Sequence, residues 1–194
     1  MIPRAMFVEN LLLAKHAING LPSGAIIECG TWRGGMSAAL IEMCGKNRDY
    51  YFFDSFEGLP PVSAIDGQWA IEWQNGTDNY NNLTASLTEF RSTIEMSGGT
   101  NVKVIPGFFE QSFPKFQPPS IAILRLDVDL YESTMICLRK FWNHVLPGGL
   151  ILLDDYNSWE GCSRAVHDFL SSLKATEHIM QGRIARVAYI RKKP

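Results

Sequence analysis

Ala25-Ile26-Ile27-Glu28-Cys29-Gly30-Thr31-Trp32-Arg33-Gly34-Gly35, followed by the helical run Met36 to Cys44, decides the fold. A short apolar run ends in an acid, a glycine turn follows, and a helix opens. Strand, turn, helix is the start of a βαβ unit. Working outward, Tyr50 to Phe53 is the second strand and ends in Asp54. Val102 to Ile105 is the third, closed by Pro106-Gly107, and Ile121 to Leu126 is the fourth. Pro147-Gly148-Gly149 turns the chain into the fifth, Leu150 to Leu153. Helices are predicted over Leu83 to Met96, Glu132 to Val145 and Gly161 to Leu173. Upstream, Phe7, Leu11, Ala14 and Ile18 recur at helical spacing over Ala5 to Ile18, which Gly20 and Pro22 stop. His178-Ile179-Met180 and Arg186 to Ile190 read as a closing hairpin around Gly182. Strands that are continuous apolar runs, alternating with helices, predict an α/β Rossmann-like fold. Its sheet is mostly parallel and seven-stranded, with one antiparallel edge strand and helices on both faces.

The 194 residues read as one domain, with an N-terminal helix over 1–20 and a polar insertion over 62–99. With 46% hydrophobic and 20% charged residues and a formal net charge of -2, nothing points to nucleic acid or a membrane as partner. The basic stretch Arg183 to Lys193 is interrupted by apolar residues and reads as a solvated strand. Glu9 and Lys15 bracket an apolar run of only Leu11-Leu12-Leu13, far short of a signal peptide, so a cytoplasmic location is expected. Cys29, Cys44, Cys137 and Cys162 lack Cys-x-x-Cys spacing and are expected to be free buried thiols.

In open parallel sheets, ligands bind beyond the carboxyl ends of the strands, where the strand order reverses. Those ends carry Glu28 and the glycine turn, Asp54, Gly107, Asp127 with Asp129, and Asp154 with Asp155. The turn is not the Gly-x-Gly-x-x-Gly dinucleotide signature, since Trp32 and Arg33 occupy it. An acid such as Glu28 suits the ammonium of a methionine-type cofactor and would repel a pyrophosphate. The bland alternative is a strand-helix turn with no ligand. Asp54 suits the ribose hydroxyls of any adenosine.

Asp127, Asp129, Asp154 and Asp155 are the most informative group. Neighbouring strands lie about 4.8 Å apart, so adjacency of the fourth and fifth strands would crowd these carboxylates together. Like charges at that range need a cation or a shared proton. Carboxylates without His or thiolate select a hard ion, Mg2+ first. The plainer reading makes Asp129 and Asp155 helix caps and leaves Asp127 and Asp154 unexplained. His16, His144, His167 and His178 show no paired metal-ligand spacing and read as surface or supporting residues. Trp69, Trp73 and Tyr80 in the insertion serve either a lid or its packing onto the domain.

Beyond these residues, the sequence resembles the macrocin O-methyltransferase (TylF/MycF-type) family. The resemblance runs through Ile27 to Gly35, Asp54-Ser55-Phe56-Glu57-Gly58-Leu59-Pro60 and Leu126-Asp127-Val128-Asp129-Leu130-Tyr131-Glu132-Ser133-Thr134. It continues through Pro147-Gly148-Gly149, Asp154-Asp155-Tyr156, Gly161-Cys162 and Ala165-Val166-His167-Asp168-Phe169. Thr31 and Met36 depart from the family pattern, and relatives carry extra N-terminal helices.

The resemblance implies a class I methyltransferase fold and an S-adenosylmethionine- and Mg2+-dependent O-methyltransferase. Its acceptor would be a hydroxyl on a sugar or polyketide-type scaffold. Glu28, Gly30, Thr31, Trp32, Gly34 and Gly35 would hold the methionine part of the cofactor, Asp54 and Ser55 its ribose, and Gly107 and Phe108 its adenine. Asp127, Asp154 and Asp155 would ligate Mg2+. Asp129 would be the general base, with Asp127 serving chemistry and cofactor as well. Relatives associate, and the apolar surface of the N-terminal helix makes a homo-oligomer the expectation. A catechol-type acceptor is the nearest alternative. Asp127-Val128-Asp129 also looks like the Asp-x-Asp metal motif of glycosyltransferases, which would bind a sugar nucleotide.

Overall fold

The computed structural model describes residues 2–21, 23–77, 79 and 81–193. Seven strands form one sheet: β1 (Ala25–Cys29), β2 (Asp49–Asp54), β3 (Asn101–Pro106), β4 (Ile121–Leu126), β5 (Val145–Leu153), β6 (Ile179–Gln181) and β7 (Ala188–Arg191). Their order is β3-β2-β1-β4-β5-β7-β6. The first five are parallel, and β7 runs antiparallel between β5 and β6 at one side of the sheet. Every residue of β1 and β4 is buried, as central strands covered on both faces require.

Alternate side chains go to opposite layers. Ile26, Phe52, Ile123 and Leu152 pack beneath the helices α1 (Arg4–Asn19) and α2 (Gly35–Cys44). Ile27, Phe53, Leu124 and Leu153 share the opposite core with Met135, Leu138, Val166 and Phe169. Between β2 and β3 the chain forms α3 (Gln68–Asn75) and α4 (Leu87–Ser97). The short α5 (Phe109–Ser112) follows β3, while α6 (Tyr131–Phe141) and α7 (Glu160–Ser172) cover the second face. None of the described helices is long and apolar enough to cross a membrane.

Three boundaries differ from the sequence expectation. The helix expected from Leu83 starts at Leu87, because Asn81, Asn82 and Leu83 all take left-handed φ values (56°, 51° and 60°) and Ser86 caps the Glu89 N–H. The helix expected to reach Val145 ends at Phe141, and a single 3-10 turn over Trp142–His144 leads into β5. That strand begins at Val145 rather than Leu150. Gly148 N–H donates to Lys192 O and Lys192 N–H to Gly149 O, so the glycine pair is zipped to the chain end instead of forming a free turn. Pro22 lies outside the described residues.

Candidate active site

The four central strands end level. Cys29 sits beside Phe53 and Leu126, and Leu126 beside Leu153. One further rung continues past each end: Gly30 N–H donates to Phe53 O, Gly107 to Asp54 O, Asp127 to Cys29 O and Asp154 to Leu126 O, each at 2.9 Å. The residues expected to carry chemistry therefore stand in one row. All of them except Glu28 and Gly34 border a cleft of about 720 Å³ at the switch point between β1 and β4, where the order reverses.

Gly30, Thr31, Trp32, Gly35, Asp54, Ser55, Gly107, Phe108 and Asp127 all line that cleft. Gly30 has φ 78°, and a Cβ there would lie 1.7 Å from Asp127 O, so only glycine lets β1 and β4 open together. Trp32 is left-handed as well, at φ 47°, an uncommon state for a bulky residue. Asp54 explains how it is held: Oδ2 accepts the N–H groups of Thr31 (2.7 Å) and Trp32 (2.8 Å), and Oδ1 accepts that of Phe56 (2.7 Å). Asp54 thus shapes the glycine turn, besides whatever it offers a ribose.

Glu28 and Gly34 require correction. Glu28 is fully buried, and its carboxylate accepts from Ser37 Oγ on α2 and from Arg125 Nη1 (2.7 Å). It does not border the cleft and cannot meet an ammonium there directly. Gly34 supplies the left-handed residue preceding α2 and packs against Phe90; it too lies off the cleft.

Arg125 organises the floor. It is 1% exposed, and its Nη2 lies 3.0 Å from both Asp127 Oδ2 and Asp154 Oδ1. Burial opposes its charge, but Asp154, Asp127, Glu28 and Asp155 outweigh that and hold it protonated. Asp154 Oδ1 also accepts from Asn10 Nδ2 of α1 at 2.8 Å.

Asp127, Asp154 and Asp155 each offer an oxygen within 4.8 Å of the other two. The helix-cap alternative fails: Leu130 and Trp159 occupy the positions preceding α6 and α7, and neither Asp129 nor Asp155 caps them through its side chain. Asp129 instead adopts a left-handed φ of 57°, and its N–H donates to Asp155 Oδ2 at 3.0 Å. A left-handed backbone in such a cleft-lining loop is tolerated best by Asp, Asn and Gly. Arg125 pairs with Glu28, Asp127 and Asp154, while Asp155 accepts the Asp129 N–H beside them, and the surplus negative charge shows in the acidities of Glu28, Asp127, Asp129 and Asp155. Burial, offset by Arg125 and reinforced by Asp154, pushes Asp127 up to about 6. Burial likewise lifts Glu28 to about 7. Asp129 and Asp155 are pushed well above the usual carboxylate range, by burial first and then by neighbouring aspartates. An all-oxygen donor set with excess negative charge, and with the Asp127 side chain 35% open, fits a hard divalent cation.

The outer wall carries Leu59, Pro60, Trp73, Leu83 and Trp159. Trp69 and Trp73 meet Trp159 edge to face, at centroid distances of 4.7 and 5.4 Å, so they pack the insertion onto the domain. Trp73 also borders the cleft; Tyr80 lies outside the described residues. Asp66 ties the insertion to the site loop by accepting the Tyr131 N–H at 2.7 Å. His167 meets Tyr156 Oη at 2.9 Å, a supporting contact away from the cleft. The four cysteines are buried and free.

Sequence reasoning missed Arg125, Asn10 and Asp66. A charged residue inside the apolar run Ile121-Ala122-Ile123-Leu124-Arg125-Leu126 was the available signal for the first. Asn10 and Asp66 offered none, since helices and loops carry polar residues everywhere.

This sheet order, with a glycine turn after β1 and acids ending the central strands, defines a class I methyltransferase fold. The chain belongs to the macrocin O-methyltransferase (TylF) family, whose model matches residues 8–192. It is 35% identical over 174 residues to the 8-demethyl-8-(2,3-dimethoxy-alpha-L-rhamnosyl)-tetracenomycin-C 4'-O-methyltransferase of Streptomyces olivaceus, covering 84% of this chain and 64% of that protein. Against demethyldecarbamoylnovobiocin O-methyltransferase of Streptomyces niveus it is 30% identical over 175 residues, covering 84% and 63%. The solved structure of the O-methyltransferase NovP matches with a TM-score of 0.80 at 25% identity, over 96% of this chain and 81% of that one. The chain therefore spans a little under two thirds of the length of these curated relatives. Family membership sets aside the glycosyltransferase reading of Asp127-Val128-Asp129.

Proposed function

We propose that this chain is an S-adenosylmethionine-dependent O-methyltransferase that uses a divalent cation, Mg2+ by donor type, to methylate a hydroxyl on a sugar or other natural-product scaffold. The observation that carries the reading is the convergence of Asp127, Asp154 and Asp155 on one wall of the cleft that the glycine turn opens. The relatives' named acceptors, a rhamnosyl tetracenomycin and demethyldecarbamoylnovobiocin, support the acceptor class.

When bound, adenosylmethionine supplies a methyl group on a sulfonium, and the cation supplies a Lewis acid that lowers the acceptor's pKa. The chain's own residues do the rest. Gly30, Thr31, Trp32 and Gly35 let the backbone approach the methionine part. Asp54 and Ser55 border the ribose position, Gly107 and Phe108 the adenine. Asp127, Asp154 and Asp155 would hold the cation, beside which the acceptor hydroxyl would be positioned. Asp129 takes the proton; its carboxyl, pushed up by burial and then by Asp127 and Asp154, accepts a proton more readily than an ordinary aspartate.

Of the stretch 62–99, the part before α4 acts as a lid in this reading, with Trp73 and Leu83 excluding water from the cleft, while α4 buries Phe90 and Ile94 in the core beside α2. Val8 and Leu12 on α1 are 39% and 49% exposed and supply an apolar surface for self-association. Calorimetric titration with S-adenosylmethionine, with and without Mg2+, tests the class. Micromolar binding, followed by methyl transfer to glycosylated acceptors seen by mass spectrometry, is the expected result. No heat with the cofactor under either condition would overturn it.

A further inference from the structure

Asp154 belongs to the proposed cation set, and its Oδ1 is already fully engaged. It is ion-paired with Arg125 Nη2 at 3.0 Å and accepts a hydrogen bond from Asn10 Nδ2 at 2.8 Å. None of the described residues donates to its Oδ2. The partner from α1 comes from 144 positions away in the chain and is 0% exposed.

The orientation of that amide is itself informative. Nδ2 spends one N–H on Asp154 and the other on Met6 O at 3.0 Å. Oδ1 of Asn10 is left buried and without a partner among the described residues. Burying an unmet acceptor is destabilising. Flipping the amide would be worse, because the carbonyl oxygen would then face two acceptors, Asp154 Oδ1 and Met6 O. The side chain is therefore held as a donor, and a stranded carbonyl is the consequence. Ordinary helix packing does not require that: a leucine would fill the volume with no unmet group. The same face of α1 also brings Met6 and Phe7 to the cleft wall, so the helix is part of the site.

We infer that Asn10 is a positioning residue for the cation site, fixing the Asp154 carboxylate so that Oδ1 is spent on the protein and Oδ2 is left to coordinate. Partners that orient a metal ligand from behind typically contribute 10- to 100-fold in metal affinity. The inference rests on the cation reading proposed above and assigns to it a residue that touches neither cation nor acceptor.

Its test is calorimetric titration of the full chain with Mg2+, and with Mn2+ as a second probe, in wild type, Asn10→Leu and Glu9→Gln. Asn10→Leu is expected to weaken cation affinity by about 10- to 100-fold. Its S-adenosylmethionine affinity without added cation should stay within about twofold, which certifies that the cleft is folded. Glu9→Gln removes an anchor of α1 one residue away; it should lower the melting temperature yet leave cation affinity unchanged. Should Asn10→Leu fail to fold, Asn10→Ser, which withdraws the same donor with less change in polarity, carries the same comparison. Unchanged cation affinity in a folded Asn10 variant overturns the inference while leaving the cation site standing. An equal loss in Glu9→Gln also overturns it, because α1 would then act only by its general position. A wild-type protein that binds neither ion removes the cation reading and this inference with it.

Discussion

Glu9 and Asp155 are both buried, 3% and 7% exposed, yet their surroundings treat a carboxylate in opposite ways. Glu9 points from α1 at the turn between β6 and β7. Its oxygens accept the N–H groups of Ile184 (2.6 Å), Ala185 (2.9 Å) and Val187 (2.9 Å). Burial alone would raise its pKa, but those backbone donors prevail and hold it below the usual value. Asp155 shares its pocket with Asp129, Asp127 and Asp154, and burial with their charges drives it well above. The first region matches its negative charge with donors of its own; the second carries more than Arg125 can answer. A buried charge that the protein satisfies is architecture, and a surplus it leaves unsatisfied marks a place for a ligand.

The sharpest way to break that contrast is to cut the second region. Asp154→Ala or Asp127→Ala should lower methyl transfer by about a thousandfold, near 4 kcal/mol, the order that Lewis-acid stabilisation supplies. Cofactor affinity measured by calorimetry should change little. If both are lost together, these acids serve the cofactor and the contrast is misdrawn. Cutting the first region should do the reverse. Glu9→Gln turns an acceptor toward its N–H partners into a donor and should cost about 2 kcal/mol in urea unfolding, with turnover per folded molecule unchanged.

Protons sharpen the comparison further. Asp127 and Glu28, raised to about 6 and about 7, contribute stability that is fully present below their ordinary values of 3.8 and 4.5. That contribution is lost as pH rises through 6 and 7. Glu9 works the other way: its stability is present above 4.5 and lost as pH falls through its depressed value. The melting temperature of metal-free protein should therefore fall from pH 5 to pH 8 in chelator, and Mg2+ should restore more of it at pH 8 than at pH 5. A flat profile would mean that Arg125 already balances the cluster. The smallest effect belongs to the wall. Trp73→Ala removes one edge-to-face contact and part of the cleft lining, about 1 kcal/mol, and should raise the acceptor KM several-fold with cofactor affinity intact.

Much of this was readable in the chain. The strands are runs of apolar residues punctuated by Gly and Pro, so their existence, the parallel sheet and the acids at the strand ends all follow from local pattern. The lid question was only half legible. A polar stretch with tryptophans announces an insertion, but only the three-dimensional arrangement shows Trp69 and Trp73 packed edge to face against Trp159, some 86 to 90 positions later. Glu28 illustrates the limit best. Its place at the end of β1 was correct, and its expected contact was not, because alternation along the strand turns it into the layer under α1 and α2, where Ser37 and Arg125 take it.

By itself, the sequence determined the class of fold, the row of acidic residues at the carboxyl ends of β2, β4 and β5, the free thiols and the kinship to the macrocin family. The first three depend on periodicity, turn chemistry and spacing, and the kinship on a resemblance carried by motif blocks in order; all of these are read locally along the chain. Tertiary structure alone decided that Arg125 is the hub of the acids, that Asn10 stands behind Asp154, and that Glu9 closes the far hairpin. The partner of a buried polar group is whichever donor arrives at the same height in the packed layers, and no local pattern records that height.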